Sequence, residues 1–125
     1  MMLRCASCHI PISGEVQLLN DRSRISADAK SDFVPQGYYL IASAADQMDS
    51  HTAGEFILNL KDTMNIKPYS DPSRLSGCCA LDGLNGINTT CVNGHEMGFE
   101  RSDCWVPHYI HIPPQNVQVL EHAVV

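Results

Sequence analysis

The chain has 125 residues, of which 44% are hydrophobic and 18% are charged, and its formal net charge is −6 at pH 7. A chain of this length can bury a core without a lattice of disulfides, so we expect one domain, residues 1–125. The acidic balance argues against a nucleic-acid partner, because phosphate binding requires clustered lysine and arginine. No stretch approaches the roughly 20 apolar residues of a spanning helix, so we expect no membrane partner.

The first residues, Met1 to Cys5, lack the apolar segment and cleavage site of a secretory signal. This predicts a cytoplasmic protein. In a reducing cytosol, closely spaced cysteines are metal ligands or catalytic thiols more often than disulfides.

Strand patterns dominate the chain, and helix patterns are scarce. Short apolar or alternating runs typical of strands occur at 14–19, 38–42, 55–60, 105–106, 109–112 and 117–120. In the first run, alternation predicts that Val16 and Leu18 share one face. Residues 21–31 tolerate a helix but lack apolar periodicity, so any helix there would be short and exposed. The sequence therefore predicts a mainly β domain, with an α+β arrangement containing one short helix as the alternative.

Between these runs, residues 65–88 are rich in proline and glycine and contain two turn dipeptides, Asp82-Gly83 and Asn85-Gly86. Loops this long inside a compact domain are usually functional or need a cross-link. Cys78 and Cys79 lie within this segment, so a bound metal would supply one.

The six cysteines carry the strongest functional signal. Cys5 and Cys8 are separated by two residues, the spacing at which one tight turn wraps around a zinc ion. This predicts a zinc-ribbon-like site that joins the knuckle at 5–8 to the late cysteine region, 78–104. The candidates for its remaining ligands are Cys78, Cys79, Cys91 and Cys104, with His95 in reserve.

Two features leave the ligand set open. Adjacent side chains diverge on an extended backbone, so one of Cys78 and Cys79 is expected to lie outside the site. Six cysteines together with His9 and His95 would suffice for two sites. A single structural Zn²⁺ ion is the simpler prediction.

Three other chemistries fit parts of the pattern. Cys5-x-x-Cys8-His9 matches the attachment motif of c-type haem, although haem attachment usually accompanies export. A thioredoxin-type redox pair would need a preceding strand and a helix at the thiols, and Pro11 and Gly14 disfavour that helix. A cysteine nucleophile would need a histidine base, for which the candidates are His95, His108 and His111.

The late region also shows a resemblance. Its elements are Gly77-Cys78-Cys79, Asp82-Gly83, Cys91 and Asp103-Cys104-Trp105. In these elements the stretch 71–105 resembles a pattern found in small uncharacterised bacterial proteins. The resemblance implies a bacterial origin and implies that the late cysteines belong to one unit. That group has no assigned activity, so the resemblance implies no catalytic residue.

The sequence contains no paired carboxylate site, phosphate-binding loop or metal-hydrolase motif. We therefore predict a zinc-stabilised, non-enzymatic module with a protein partner. The alternative is a small metal- or cysteine-dependent enzyme, a hydrolase or redox protein. The sequence predicts no oligomeric state.

Overall fold

A computed structural model of the protein describes residues 1–43 and 54–121 and confirms the mainly β prediction. The strands in chain order are β1 Met2–Cys5, β2 Gln17–Leu18, β3 Tyr38–Ile41, β4 Phe56–Leu58, β5 Ile66–Pro68, β6 Thr89–Cys91, β7 Phe99–Arg101, β8 Tyr109–Ile112 and β9 Val117–Leu120. The helical segments within 1–43 and 54–121 are single 3₁₀ turns at Arg22–Arg24, Leu60–Asp62, Pro72–Arg74 and Pro114–Asn116. Within the described residues, no helix is long and apolar enough to cross a membrane.

The largest sheet has five strands in the order β2-β3-β4-β8-β7. Its β2–β3 pair is parallel, and its other pairs are antiparallel. Two further antiparallel pairs, β1 with β9 and β5 with β6, form separate two-stranded sheets. The β1–β9 pair brings the start and the end of the described chain together, with Cys5 opposite Val117.

The runs predicted at 38–42, 55–60, 109–112 and 117–120 contain β3, β4, β8 and β9. The run at 14–19 contains only the two residues of β2, and Leu18 is exposed while Val16 is buried. The shared face predicted for these two residues is wrong because the chain changes partners between them. Val16 donates its N–H to the carbonyl of Met1, whereas Gln17 begins the pairing with β3.

Of two other predicted elements, the first agrees with the structure and the second does not. Within 21–31 the only regular segment is the 3₁₀ turn Arg22–Arg24, capped by the Asp21 side chain, which agrees with the expectation of a short helix. Residues 105–106, predicted as a strand, lie in a turn instead. The backbone N–H of Val106 donates to the carbonyl of Asp103 at 3.4 Å.

Among the described residues, the apolar core consists of two clusters, one on each face of the main sheet. Successive residues of β4 point to opposite faces, so Leu58 packs in the first cluster and Ile57 in the second. The first cluster also contains Cys5 and Cys91, both of which are buried. The cysteine chemistry is therefore attached directly to the core.

Candidate metal centre

The first half of the site is the turn that follows β1. Cys5 is the last residue of that strand, and its carbonyl accepts a 2.9 Å hydrogen bond from the N–H of His9. The N–H of Cys5 donates to the carbonyl of Ile10, also at 2.9 Å. His9 has a positive φ of 64°, which reverses the chain direction after Cys8. The tight turn predicted from the spacing of the two cysteines is present.

The second half of the site is a similar turn after β6. Cys91 ends that strand, its carbonyl accepts from Gly94 at 2.9 Å, and its N–H donates to the carbonyl of His95 at 2.8 Å. Gly94 has a φ of 90°, and a Cβ atom added there would meet nothing within 4 Å. Glycine is therefore favoured at this position by backbone conformation and not by lack of space.

The two turns bring four ligand atoms within 4.8 Å of one another: those of Cys5, Cys8, Cys91 and His95. We call these residues the Cys3His group. The sulfurs of Cys8 and Cys91 are 3.8 Å apart, and the His95 Nδ1 atom lies 3.3 Å from the Cys91 sulfur and 3.7 Å from the Cys5 sulfur. A tetrahedral zinc ion with bonds of about 2.3 Å to sulfur and 2.0–2.1 Å to nitrogen separates its ligands by about 3.8 Å between sulfurs and about 3.5 Å between sulfur and nitrogen. The group is positioned to bind a metal ion.

Burial and hydrogen bonding affect the thiols of this group differently. Cys5 and Cys91 are buried, whereas Cys8 and His95 are half-buried. Burial raises the pKa of Cys5 above its usual value. The Asn93 side-chain N–H donates to the Cys8 sulfur at 3.2 Å and is the largest cause that lowers the pKa of Cys8 to about 6. Because a metal competes with protons for its ligands, the Cys8 thiol is more readily available to an incoming cation than the Cys5 thiol.

The remaining cysteines form a second group, Cys78, Cys79 and Cys104, which we call the thiol cluster. Their sulfurs also lie within 4.8 Å of one another, and those of Cys79 and Cys104 are only 2.9 Å apart. Cys78 and Cys79 are exposed, and Cys104 is partly exposed. The contact with Cys104 is the largest cause that raises the pKa of Cys79 to about 11.

A buried carboxylate, Asp103, organises the thiol cluster. It accepts hydrogen bonds from the backbone N–H groups of Cys78, Cys79, Ala80 and Cys104 and from the indole N–H of Trp105. The backbone donors from Cys78 and Cys79 are the largest causes that hold the pKa of Asp103 well below its usual range. The carboxylate stays ionised and fixes the two chain segments that carry the three thiols.

The structure thus divides the six candidate cysteines between two places, with His95 completing the first. Both Cys78 and Cys79 belong to the thiol cluster, although an extended backbone would direct them apart. The chain is not extended there: Gly77 has a φ of 149°, and a Cβ atom on it would lie 1.7 Å from the carbonyl oxygen of Ala80. A tight turn that only glycine permits allows both neighbours to approach Cys104.

Two other polar features differ from or extend the sequence interpretation. Asn93 lies in the Cys91–His95 turn, and its side-chain amide contacts Cys8. In the sequence, the one indication of this role is that Asn93 lies midway between two candidate ligands, Cys91 and His95. His111 is buried and pairs through Nδ1 with the buried carboxylate of Glu55, a contact between residues 56 positions apart that local patterns do not reveal. Phe99 stacks on the His111 ring with centroids 4.5 Å apart.

Comparisons with family models, with curated proteins and with solved structures find no match to this chain. The chemistry of the Cys3His group and the thiol cluster must therefore be interpreted from their own geometry.

Proposed function

We propose that the protein is a zinc-stabilised, non-enzymatic domain of the bacterial cytoplasm that acts through contacts with another protein. The observation that carries this proposal is the Cys3His group, whose four ligand atoms lie within 4.8 Å of one another. Three of their separations, 3.3, 3.7 and 3.8 Å, are close to those of a tetrahedral zinc site. Structural zinc has four protein ligands, whereas catalytic zinc keeps one position open for water or substrate. Four ligands at these distances leave no such position.

The metal would join parts of the chain that are far apart in sequence. The contact between Cys8 and Cys91 spans 83 residues, and it ties the turn after β1 to the turn after β6. Structural zinc contributes on the order of 10 kcal/mol to such a site, which is comparable with the whole stability of a small domain. Zinc is therefore expected to be needed for the fold.

Two observations support a protein as the partner. The net charge of −6 disfavours a phosphate backbone. In addition, Leu18 on β2 and Ile41 on β3 are 46% and 48% exposed. The register pairs Leu18 with Tyr39, two residues before Ile41, so both apolar side chains point to the same face at the edge of the main sheet.

Metal analysis and folding measurements on the purified chain test this proposal. We expect one zinc per chain, loss of the β-sheet circular dichroism signal on chelation, and its recovery when zinc is restored. Cys79→Ser is the matched control, because it removes a thiol outside the Cys3His group and should leave the zinc content unchanged. A chain that is metal-free and fully folded would overturn the proposal.

One observation favours the alternative, a cysteine-dependent enzyme. The lowered pKa and partial exposure of Cys8 are properties of a nucleophile as well as of a metal ligand. Alkylation by iodoacetamide separates the two roles, since the tryptic peptide 5–22 carries Cys8 apart from the late cysteines. Zinc should protect that peptide if Cys8 is a ligand. Fast alkylation of Cys8 in the zinc-loaded protein would favour the enzyme.

A further inference from the structure

The thiol cluster differs from the Cys3His group in the separation of its sulfurs. The Cys79 and Cys104 sulfurs are 2.9 Å apart, whereas those of Cys8 and Cys91 are 3.8 Å apart. With metal–sulfur bonds of about 2.3 Å, a 2.9 Å separation would close the sulfur–metal–sulfur angle to about 78°, far below the tetrahedral value. The close pair is therefore a poor bidentate ligand for zinc.

In the part of the chain that the structure describes, the thiol cluster also lacks a fourth ligand. Asp103 is the nearest carboxylate in the sequence, but its Oδ1 atom accepts from Cys79, Ala80 and Cys104, and its Oδ2 atom accepts from Cys78 and Trp105. Binding a cation through either oxygen would break hydrogen bonds that hold the thiols in place. Among the described residues, the cluster that could hold an ion here contains the three cysteines alone.

The same hydrogen bonds arrange the pair for a different reaction. A single atom, Asp103 Oδ1, accepts from the N–H of Cys79 at 2.9 Å and from the N–H of Cys104 at 2.8 Å. Two backbones that share one acceptor are held close together, although 25 positions separate them in sequence. A disulfide requires such proximity and a bond of about 2.05 Å between the sulfurs. Because Cys79 is exposed to solvent, a small external disulfide can reach its sulfur.

We infer that Cys79 and Cys104 are a reversible disulfide pair that exchanges with low-molecular-weight disulfides. One of the two thiols, as its thiolate, attacks the external disulfide, forms a mixed disulfide and releases one thiol. The second protein thiol then loses its proton and attacks the protein sulfur of the mixed disulfide, which releases the second external thiol. Two electrons pass from the pair to the external disulfide, which leaves as two thiols. Cytosolic disulfides are usually transient and redox-active, which agrees with the exposure of this pair.

The test uses the zinc-loaded full chain and oxidised glutathione as the disulfide. Trypsin cleaves after Arg74 and Arg101, so the close pair would link peptide 75–101 to peptide 102–125. We expect this linked species, the loss of two titratable thiols, and a change in the fluorescence of Trp105, the only tryptophan. In a chain-entropy estimate, closing this loop raises Tm on the order of 10 °C. A reducing agent should reverse all four changes.

Two serine variants assign the pair. Cys78→Ser should retain the linked peptides, whereas Cys79→Ser should lose them. Equal linkage in the Cys79→Ser variant would overturn the assignment, because another cysteine of peptide 75–101 would then be reacting with Cys104. No linkage in the wild-type protein, or a second zinc ion that protects the three thiols, would overturn the inference.

Failure of the zinc proposal gives a different product. If the Cys3His group held no metal and its thiols oxidised, Cys91 would link peptide 75–101 to peptide 5–22, not to peptide 102–125. The masses of the two linked species distinguish these results. The product formed at the thiol cluster therefore reports on the Cys79–Cys104 pair independently of the zinc site.

Discussion

Zinc binding at the Cys3His group makes thermal stability depend on free zinc in a calculable way. A ligand that binds only the folded state adds RT ln(1 + [L]/Kd), about 1.4 kcal/mol for each tenfold rise in free zinc above Kd. An unfolding entropy of about 2.1 cal/mol/K per residue gives about 0.26 kcal/mol/K for 125 residues, so 1 kcal/mol shifts Tm by about 4 °C. One site should therefore raise Tm by about 5 °C for each tenfold increase in free zinc.

Circular dichroism melts in a series of zinc buffers at fixed pH measure this slope. Cys8→Ser removes a half-buried ligand and should therefore show no cooperative melt at zinc concentrations that fold the wild-type protein. Cys78→Ser is the matched control in the thiol cluster and should keep the full slope.

The rise in Tm for each tenfold increase in free zinc also depends on how many zinc ions the folded chain binds. A slope near 10 °C for each tenfold change would show that two zinc ions bind the folded chain, which would contradict the single-site reasoning. A Tm that does not respond to free zinc in the wild-type protein, with the metal present or removed by chelation, would refute the structural role altogether.

Three further predictions concern individual side chains. Asn93→Ala removes the hydrogen bond to the Cys8 sulfur and should weaken zinc binding by about tenfold in a competition titration with a chromophoric chelator, as loss of outer-shell partners commonly does. Asp103 has a depressed pKa, so its contribution to stability is present above the unfolded pKa of about 3.9 and is lost as pH falls through the folded value. Asp103→Asn should therefore lower Tm at pH 7 and reduce the fall of Tm between pH 4 and lower pH. Asp71→Asn, at an exposed 3₁₀ cap, should change Tm less. Gly98→Ala would place a Cβ atom 2.6 Å from a backbone oxygen of β8 and should destabilise the chain by about 1–3 kcal/mol in urea unfolding; an unchanged midpoint would show that the strand shifts freely.

The parts of the fold that the sequence predicts are those determined by neighbouring residues. The apolar runs containing β3, β4 and β8 alternate or are bounded by turns, and the turn at Cys5–Cys8 follows from ligand spacing. Strand β1 lies outside every predicted run, because its strand pairing is with β9, more than 100 residues away in sequence. The same limit applies to β5 and β6, which are short and lie near cysteines or prolines.

The division of the cysteines depends on contacts that spacing does not encode. Of the three charged residues Asp71, Arg74 and Asp103, only Asp103 is buried, while Arg74 lies over the ring of Tyr69. Three of the five donors, the N–H groups of Cys78, Cys79 and Ala80, reach Asp103 because the turn at Gly77 folds back on it. The sequence shows that Asp103 precedes Cys104, but it does not show that the carboxylate of Asp103 accepts hydrogen bonds from the loop at 78–80.

The burial of the two cysteine groups separates their roles. Cys5 and Cys91 belong to the first core cluster, so a change in their ligation disturbs packing as well as metal binding. Cys79 is exposed and is held by Asp103 through its backbone, so its sulfur can change oxidation state while those hydrogen bonds persist. A mild disulfide oxidant should therefore convert the thiol cluster before it displaces zinc. If zinc release accompanied the first thiols to react, the two groups would be coupled, and the core would have to transmit the change.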